Sequence, residues 1–287
     1  MKKIITIFAA ALAIAAVVSC NKDNKGGDEN GGKADITVAK DNLVAWFPFE
    51  GNGVDKVANL TPLAAKEGFK SHEFTANRNG KALQGVAGGY LLYDLPEASK
   101  LRSLEQISIA MWLNQAPIPT TQAPVPCFFE WVVPDAFWGA YAMSIDRLGN
   151  EETPSDILAL KTFGQLAAGD FWKTDGEGKY GFTGGRWIHV IFTYDGAGNY
   201  HAYQNGIDVT PEDQVAVVYQ EAPAGKLNLS AATQLILGAW QNKVIGGAND
   251  EWMGDFLGAM DELRIYNKAL SADEAKALYD AEVNNLD

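Results

Sequence analysis

The stretch RWIHVIFTYDGAGNYHAYQNGIDV, residues 186–209, restricts the fold more than any other part of the chain. It contains two strand-like runs, 187–194 and 199–204, joined by a glycine-containing turn. Asn205-Gly206 follows at once, the dipeptide that best tolerates the two positive φ angles of a tight hairpin turn. Back-to-back hairpins commit the chain to antiparallel pairing. Further short apolar runs, LVAWFPF (43–49), GYLLYDL (89–95), QISIAMWLN (106–114), QLILGAW (234–240) and GAMDELRIY (258–266), are bounded by Gly, Asn and Pro. In 106–114, alternation puts Ile107, Ile109, Met111 and Leu113 on one face and Trp112 on the other. This pattern predicts an all-β, two-sheet antiparallel sandwich or jelly roll. One helix is expected at the end: Ser271 and Glu274 have capping-box spacing, and Ala275, Leu278 and Tyr279 form a short apolar stripe.

The N-terminus reads as processing signal, not fold. Lys2 and Lys3 precede an apolar run, 4–18, that is short for a membrane-spanning helix. The run ends in Val17-Val18-Ser19-Cys20, which resembles a bacterial lipobox and implies lipidation of Cys20; the alternative is an ordinary secretory signal with a chance cysteine. Residues 21–35 are polar and glycine-rich, a flexible tether. Lys22-Asp23 resembles the charged export signals of some Gram-negative surface lipoproteins, implying a lipid-anchored, surface-exposed protein of the outer membrane. The expected organisation is a signal peptide at 1–19, lipidated cysteine and linker at 20–40, and one folded domain at 41–287. Past Cys20 only Cys127 remains, so the domain cannot close an internal disulfide. Net charge is −13, and −15 once Lys2 and Lys3 are removed with the signal. Such a surface repels nucleic acid and suits neutral ligands and divalent cations.

Asp261 and Glu262 stand side by side in a run that otherwise reads as a buried strand. Strict alternation would set Asp261 on the face of Leu263 and Ile265, with Glu262 and Arg264 opposite and able to pair. A buried carboxylate needs a cation, hydrogen bonds or a proton. Catalysis, metal binding and a salt-bridged strand end all satisfy that requirement.

The run GAMDELRIYNKALSADEAKALY resembles the closing signature of laminin-G-like jelly rolls of the concanavalin A-like lectin/glucanase superfamily. LVAWFPFEGNGVDKVAN, GKALQGVAGGYLLY, ISIAMWLN and the 186–209 hairpin unit resemble its earlier segments in the same order, so the resemblance spans roughly 43–283. Residues 115–180 match none of its segments. The resemblance implies a concanavalin A-like jelly roll with a short C-terminal helix. It also implies a Ca²⁺ ion shared by the opening loop (Glu50, Asn52, Asp55, Asn59) and Asp261, consistent with the oxygen ligands calcium takes. Here the loop reads Asp55-Lys-Val-Ala-Asn59 where relatives carry Asp-x-Ser-Gly-Asn. The metal-free alternative is Asp261 capping loop amides.

Glucanases of this superfamily place two or three carboxylates at alternate positions of one strand. That spacing lets them share a face as nucleophile and acid/base. This chain has no such run: Asp261-Glu262 and Glu151-Glu152 are adjacent pairs, and acids on separate strands stay open. His72, His189 and His201 show no zinc spacing, and His189, inside a strand, reads as a core histidine. Cys127, followed by Phe128-Phe129, reads as a buried apolar residue.

Trp46, Trp112 and Trp187 fall in the matching strands and read as core. Trp131, Trp138, Trp172, Trp240 and Trp252 fall in or near expected loops, where rings pack on the sandwich or offer platforms to sugar rings beside polar groups. The family implies a glycan partner bound without catalysis, as an accessory to polysaccharide uptake. A divergent glycosidase or lyase and a protein-binding adhesive domain are the alternatives.

Overall fold

The computed structural model describes residues 37–283 except 77–79, 119–123, 148–156, 176–181, 220–221 and 247–249. Cys20, the signal, most of the linker and Glu151-Glu152 lie outside the described residues. Two sheets face each other. The first runs, in spatial order, Ile207–Asp208, Tyr200–Gln204, Ile188–Tyr194, Ile107–Asn114, Ala259–Tyr266, Lys81–Gln84 and Glu73–Ala76, and Leu43–Phe47 also pairs with Ala259–Tyr266. The second runs Asp170–Asp175, Ile157–Gln165, Tyr141–Arg147, Val125–Val132, Gln234–Leu237, Gly89–Asp94 and Lys70–Ser71. Phe182–Thr183 joins the second sheet on Ile157–Gln165, and Met253–Gly254 on Val125–Val132. Pairing is antiparallel apart from two short parallel contacts. The sandwich is therefore the jelly-roll architecture of the concanavalin A-like class, and the described residues of 125–175, where no family segment is readable in the sequence, supply four strands of the second sheet.

The core lies between the sheets. Ile107, Ile109, Met111 and Leu113 meet Phe129, Trp131, Tyr141, Met143, Leu235 and Leu237 there, as the alternation of 106–114 requires. The hairpin is present: Asn205 and Gly206 take φ of 49° and 76° between Tyr200–Gln204 and Ile207–Asp208. Asn205 also accepts the His189 N–H through Oδ1, at 3.0 Å. The helix Ala272–Val283 opens on the expected capping box, with Glu274 N–H on Ser271 Oγ at 3.2 Å and Ser271 N–H on Glu274 Oε2 at 2.9 Å.

Alternation fails at Asp261. The register between Ala259–Tyr266 and Ile107–Asn114 shifts between Asp261 and Arg264, and Glu262 sits at φ 54°. This β-bulge lets both Met260 and Leu263 point into the core. Asp261, opposite Trp112, is thus on the outer face, away from Leu263 and Ile265. Its Oδ1 accepts the Glu262 N–H at 2.9 Å, which supports the bulge.

The outer face of the first sheet is closed by the C-terminal helix. Arg264, 2% exposed, pairs with Glu262 of its own strand and Glu282 of the helix. Trp46 Nε1 donates to Glu262 Oε2 at 2.8 Å and Trp112 Nε1 to Glu282 Oε2 at 2.6 Å. His189 Nε2 stands 3.4 Å from Glu282 Oε2. Trp46 and Trp112 therefore belong to this polar seam and not to the core between the sheets, with their indole N–H groups on its carboxylates. Replacing Arg264 with Ala leaves two buried carboxylates without their cation. The expected cost is about 3–5 kcal/mol, read as a lowered urea midpoint with an unchanged slope.

Candidate ligand-binding site

Cross-strand register builds one outward row on the second sheet: Trp172, Phe163, Ala142, Glu130, Ile236 and Leu92, each opposite the next. Directly opposed residues share a face, so this row lies away from the core. Three segments lay further rings over it. The connection after Val125–Val132 brings Phe137 and Trp138; the chain after Gln234–Leu237 brings Trp240; the approach to Met253–Gly254 brings Trp252. Ring centroids lie 5.0 Å apart for Trp138–Trp172, 5.7 Å for Trp138–Trp252, 5.2 Å for Trp240–Trp252 and 4.7 Å for both Phe163–Trp172 and Phe137–Trp138. Trp240 and Phe163 are buried as a floor, Trp138 is half-buried, and Trp172, Phe137 and Trp252 stand 49%, 39% and 37% exposed. Trp240 Nε1 donates to Val125 O at 2.8 Å, and Trp252 Nε1 to Asp250 Oδ2 at 3.0 Å.

Four of the five expected tryptophans therefore converge. Trp131 does not. Its strand, Val125–Val132, turns Phe129 and Trp131 inward and Glu130 outward, and Trp131 is fully buried against Phe129 and Tyr141. No ligand reaches it. Phe137, Phe163 and Glu130 were not singled out from the sequence. Phe163 carried a signal, an aromatic on the lysine-bearing face of ILALKTFGQ. So did Glu130, a lone acid in VPCFFEWV.

Glu130 explains how the rings are held. Its Oε1 accepts the Gly139 N–H at 3.0 Å and its Oε2 the Gln241 N–H at 2.7 Å. Those residues immediately follow Trp138 and Trp240. Gln241 completes the staple, with Oε1 accepting the Val133 N–H at 2.9 Å and Nε2 donating to Ala136 O at 2.6 Å. Gly139 is required because a Cβ there would come within 2.3 Å of Trp131 O and 2.7 Å of Glu130 Cγ. Beside the platform lies a cleft of about 590 Å³ lined by Lys66, Asp135, Phe137, Gln234 and Asn242 among others, in the size range of small-ligand pockets.

The expected calcium residues are occupied elsewhere. Asp55 is buried in the opening loop, with Oδ1 accepting from Trp46 N at 2.6 Å and Val57 N at 3.2 Å and Oδ2 from Leu60 N at 3.4 Å. Burial pushes its carboxyl up, and those N–H donors pull it back. Glu50 Oε2 accepts the Lys81 N–H, Asn52 Oδ1 accepts the Val54 N–H, and Asn59 sits at φ 58° in the loop. Asp261 supports the bulge. Among the described residues no three or more His, Cys, Asp or Glu side chains are arranged to hold a metal ion. The loop-capping aspartate is Asp55, not Asp261. Cys127 is buried, its thiol pushed up by burial and by the Glu130 carboxylate.

Burial raises the Glu130 carboxyl from 4.5 to about 8, against the two N–H bonds that lower it. Between those values the folded protein holds a proton that the unfolded chain has lost, so this residue makes stability fall as pH rises from about 4.5 to 8 and level off above. Across that window, wild type should lose up to about 1.4 kcal/mol per pH unit relative to Glu130→Gln. Parallel stability curves for the two proteins in urea titrations would contradict the assignment.

A model of the Concanavalin A-like lectin/glucanases superfamily matches residues 88–276. No curated protein matches the sequence significantly. Among solved structures, the binding domain of Botulinum Neurotoxin DC in complex with SialylT superposes with TM-score 0.56 at 11% identity, covering 85% of this chain and 52% of that one. The binding domain of Paraclostridial Mosquitocidal Protein 1 gives 0.56 at 14%, covering 86% and 53%. A Trypanosoma rangeli sialidase gives 0.52 at 12%, covering 84% and 33%. The chain thus spans about half the length of the toxin domains and a third of the sialidase, and at these identities the likeness is one of fold. With sandwich topology and a family match over most of its length, the chain belongs to the Concanavalin A-like lectin/glucanases superfamily.

Proposed function

We propose that the domain binds carbohydrate, without catalysis, on the aromatic outer face of the second sheet. The observation that carries this reading is the convergence of Trp138, Trp172, Trp240 and Trp252 with Phe137 and Phe163 from five separate segments. Exposed rings at three points around a buried aromatic floor cost solubility, and a monomer rarely keeps such a patch without a use. Flat rings stack on the C–H faces of sugars, while Asp170, Asp250 and the cleft's Asn242, Gln234 and Asp135 stand near to engage hydroxyls. Neighbouring folds are described as bound to SialylT and to N-acetylneuraminic acid, which supports a sugar ligand in general terms.

Glu130, the acid set into the floor of this face, is fully buried and gives both oxygens to backbone N–H groups, so it does not reach a bound sugar as nucleophile or acid/base. A protein ligand is the second reading, favoured by the apolar character of the same rim. A related toxin domain is described in complex with rat synaptotagmin II. The lipobox-like Val17–Cys20 and the linker support a Cys20-anchored protein displayed from the outer membrane, with the platform facing outward for polysaccharide capture.

On a glycan array probed with and without EDTA, the folded domain should bind, and Trp172→Ala or Trp252→Ala should weaken binding at least about tenfold while leaving thermal stability nearly unchanged. Loss of the exposed rings without loss of binding would move the site elsewhere.

A further inference from the structure

The rim of the aromatic platform carries more carboxylates than ammonium groups. Asp170 lies two residues before Trp172 on the same strand and therefore on the same face. Asp250 holds the Trp252 indole N–H, and Glu251 beside it is exposed. Asp135 lines the cleft next to Phe137. The described lysines of this face are already committed. Lys161 Nζ is 2.6 Å from Asp146 Oδ2, and Lys243 pairs with Asp255. Lys66 Nζ donates to Val244 O at 3.1 Å and shares its cleft with Asp135. Lys173, next to Trp172, is turned to the other face, buried, with Nζ on Ala216 O at 2.8 Å. Among the described residues, six rim carboxylates (Asp135, Asp146, Asp170, Asp250, Glu251, Asp255) thus stand against three ammonium groups, those of Lys66, Lys161 and Lys243.

We infer that this site selects uncharged sugars and rejects carboxylated ones, an inference that rests on the carbohydrate reading above. A sialic or uronic acid would bring a carboxylate into an acidic rim, where none of these lysines is without a partner. Stripping its water there without a new donor is unfavourable. A neutral sugar needs only the ring faces and acceptors for its hydroxyls, and the same aspartates that repel an anion accept O–H bonds. The rim therefore departs from the sialylated ligands with which the structural neighbours are described. Since exposed charges are screened within about 8 Å at physiological salt, the selectivity weakens as salt rises.

The test is an array of neutral oligosaccharides printed beside their sialylated and uronate-capped forms, probed with the folded domain at low and high salt. For any glycan bound, the neutral form should win by about tenfold at low salt, the margin shrinking at high salt. Glu251→Lys should raise binding of the carboxylated form while the neutral form changes little. Equal or stronger binding of carboxylated forms in the wild type, or a preference unaffected by salt and by the Glu251→Lys variant, overturns this inference alone. Silence toward every glycan, neutral and charged, overturns the carbohydrate reading and this inference with it.

Discussion

A buried carboxyl group with no ion-pair partner among the described residues, Glu130, organises the face on which the function rests. Desolvation makes such a group costly unless donors meet both oxygens. The donors are the backbone N–H groups of Gly139 and Gln241. Because each directly follows a platform tryptophan, satisfying the carboxylate also sets where Trp138 and Trp240 stand. Gln241 returns the favour by bonding Val133 and Ala136 in the neighbouring crossing. The rings are thus pre-positioned by polar bonds anchored in the central strand of a sheet. Preorganisation of this kind lowers the ordering cost that a loop-borne aromatic site otherwise meets on binding.

The two sheets divide the work. The outer face of the first is sealed by the C-terminal helix through Arg264, Glu262, Glu282 and two indole N–H groups. The outer face of the second is covered on one side, where the short helix Gln241–Ile245 packs over Leu92, Val132 and Ile236. At Phe163 and Trp172 it is left to the aromatic crossings. The opening loop belongs to neither surface. It is tied down by Asp55 and by Tyr93 Oη donating to Gly53 O at 2.8 Å, a contact so close that a Cβ on Gly53 would meet the Tyr93 hydroxyl at 2.8 Å.

What was legible in the sequence was local. Asn205-Gly206, the Ser271–Glu274 box and the alternation of 106–114 report on neighbours within a few residues, and each is present as read. The face of Asp261 was not legible, because a bulge at Glu262 inserts one residue into the alternation and only its partner strand shows that. Trp131 was assigned to a loop site since VPCFFEWV is apolar on both faces and carries no period. Its alternation appears only once Glu130 is seen to face outward. The platform itself joins residues 138, 172, 240 and 252, whose meeting is set by strand order, a property no short window of sequence contains. The calcium expectation rested on the family loop; that Asp55 caps Trp46, Val57 and Leu60 amides while Glu50 reaches Lys81 on another strand is set by tertiary contacts no motif shows.

The central claim is that ligand meets the outer face of the second sheet, and the eight tryptophans provide a direct readout through their indole N–H resonances. In ¹H–¹⁵N spectra recorded during titration with a bound oligosaccharide, the signals of Trp138, Trp172 and Trp252 should move together and saturably. Those of Trp46 and Trp112, hydrogen-bonded to Glu262 and Glu282 on the outer face of the first sheet, should stay fixed. Movement of the Trp46 and Trp112 signals with the other three unchanged would contradict the account.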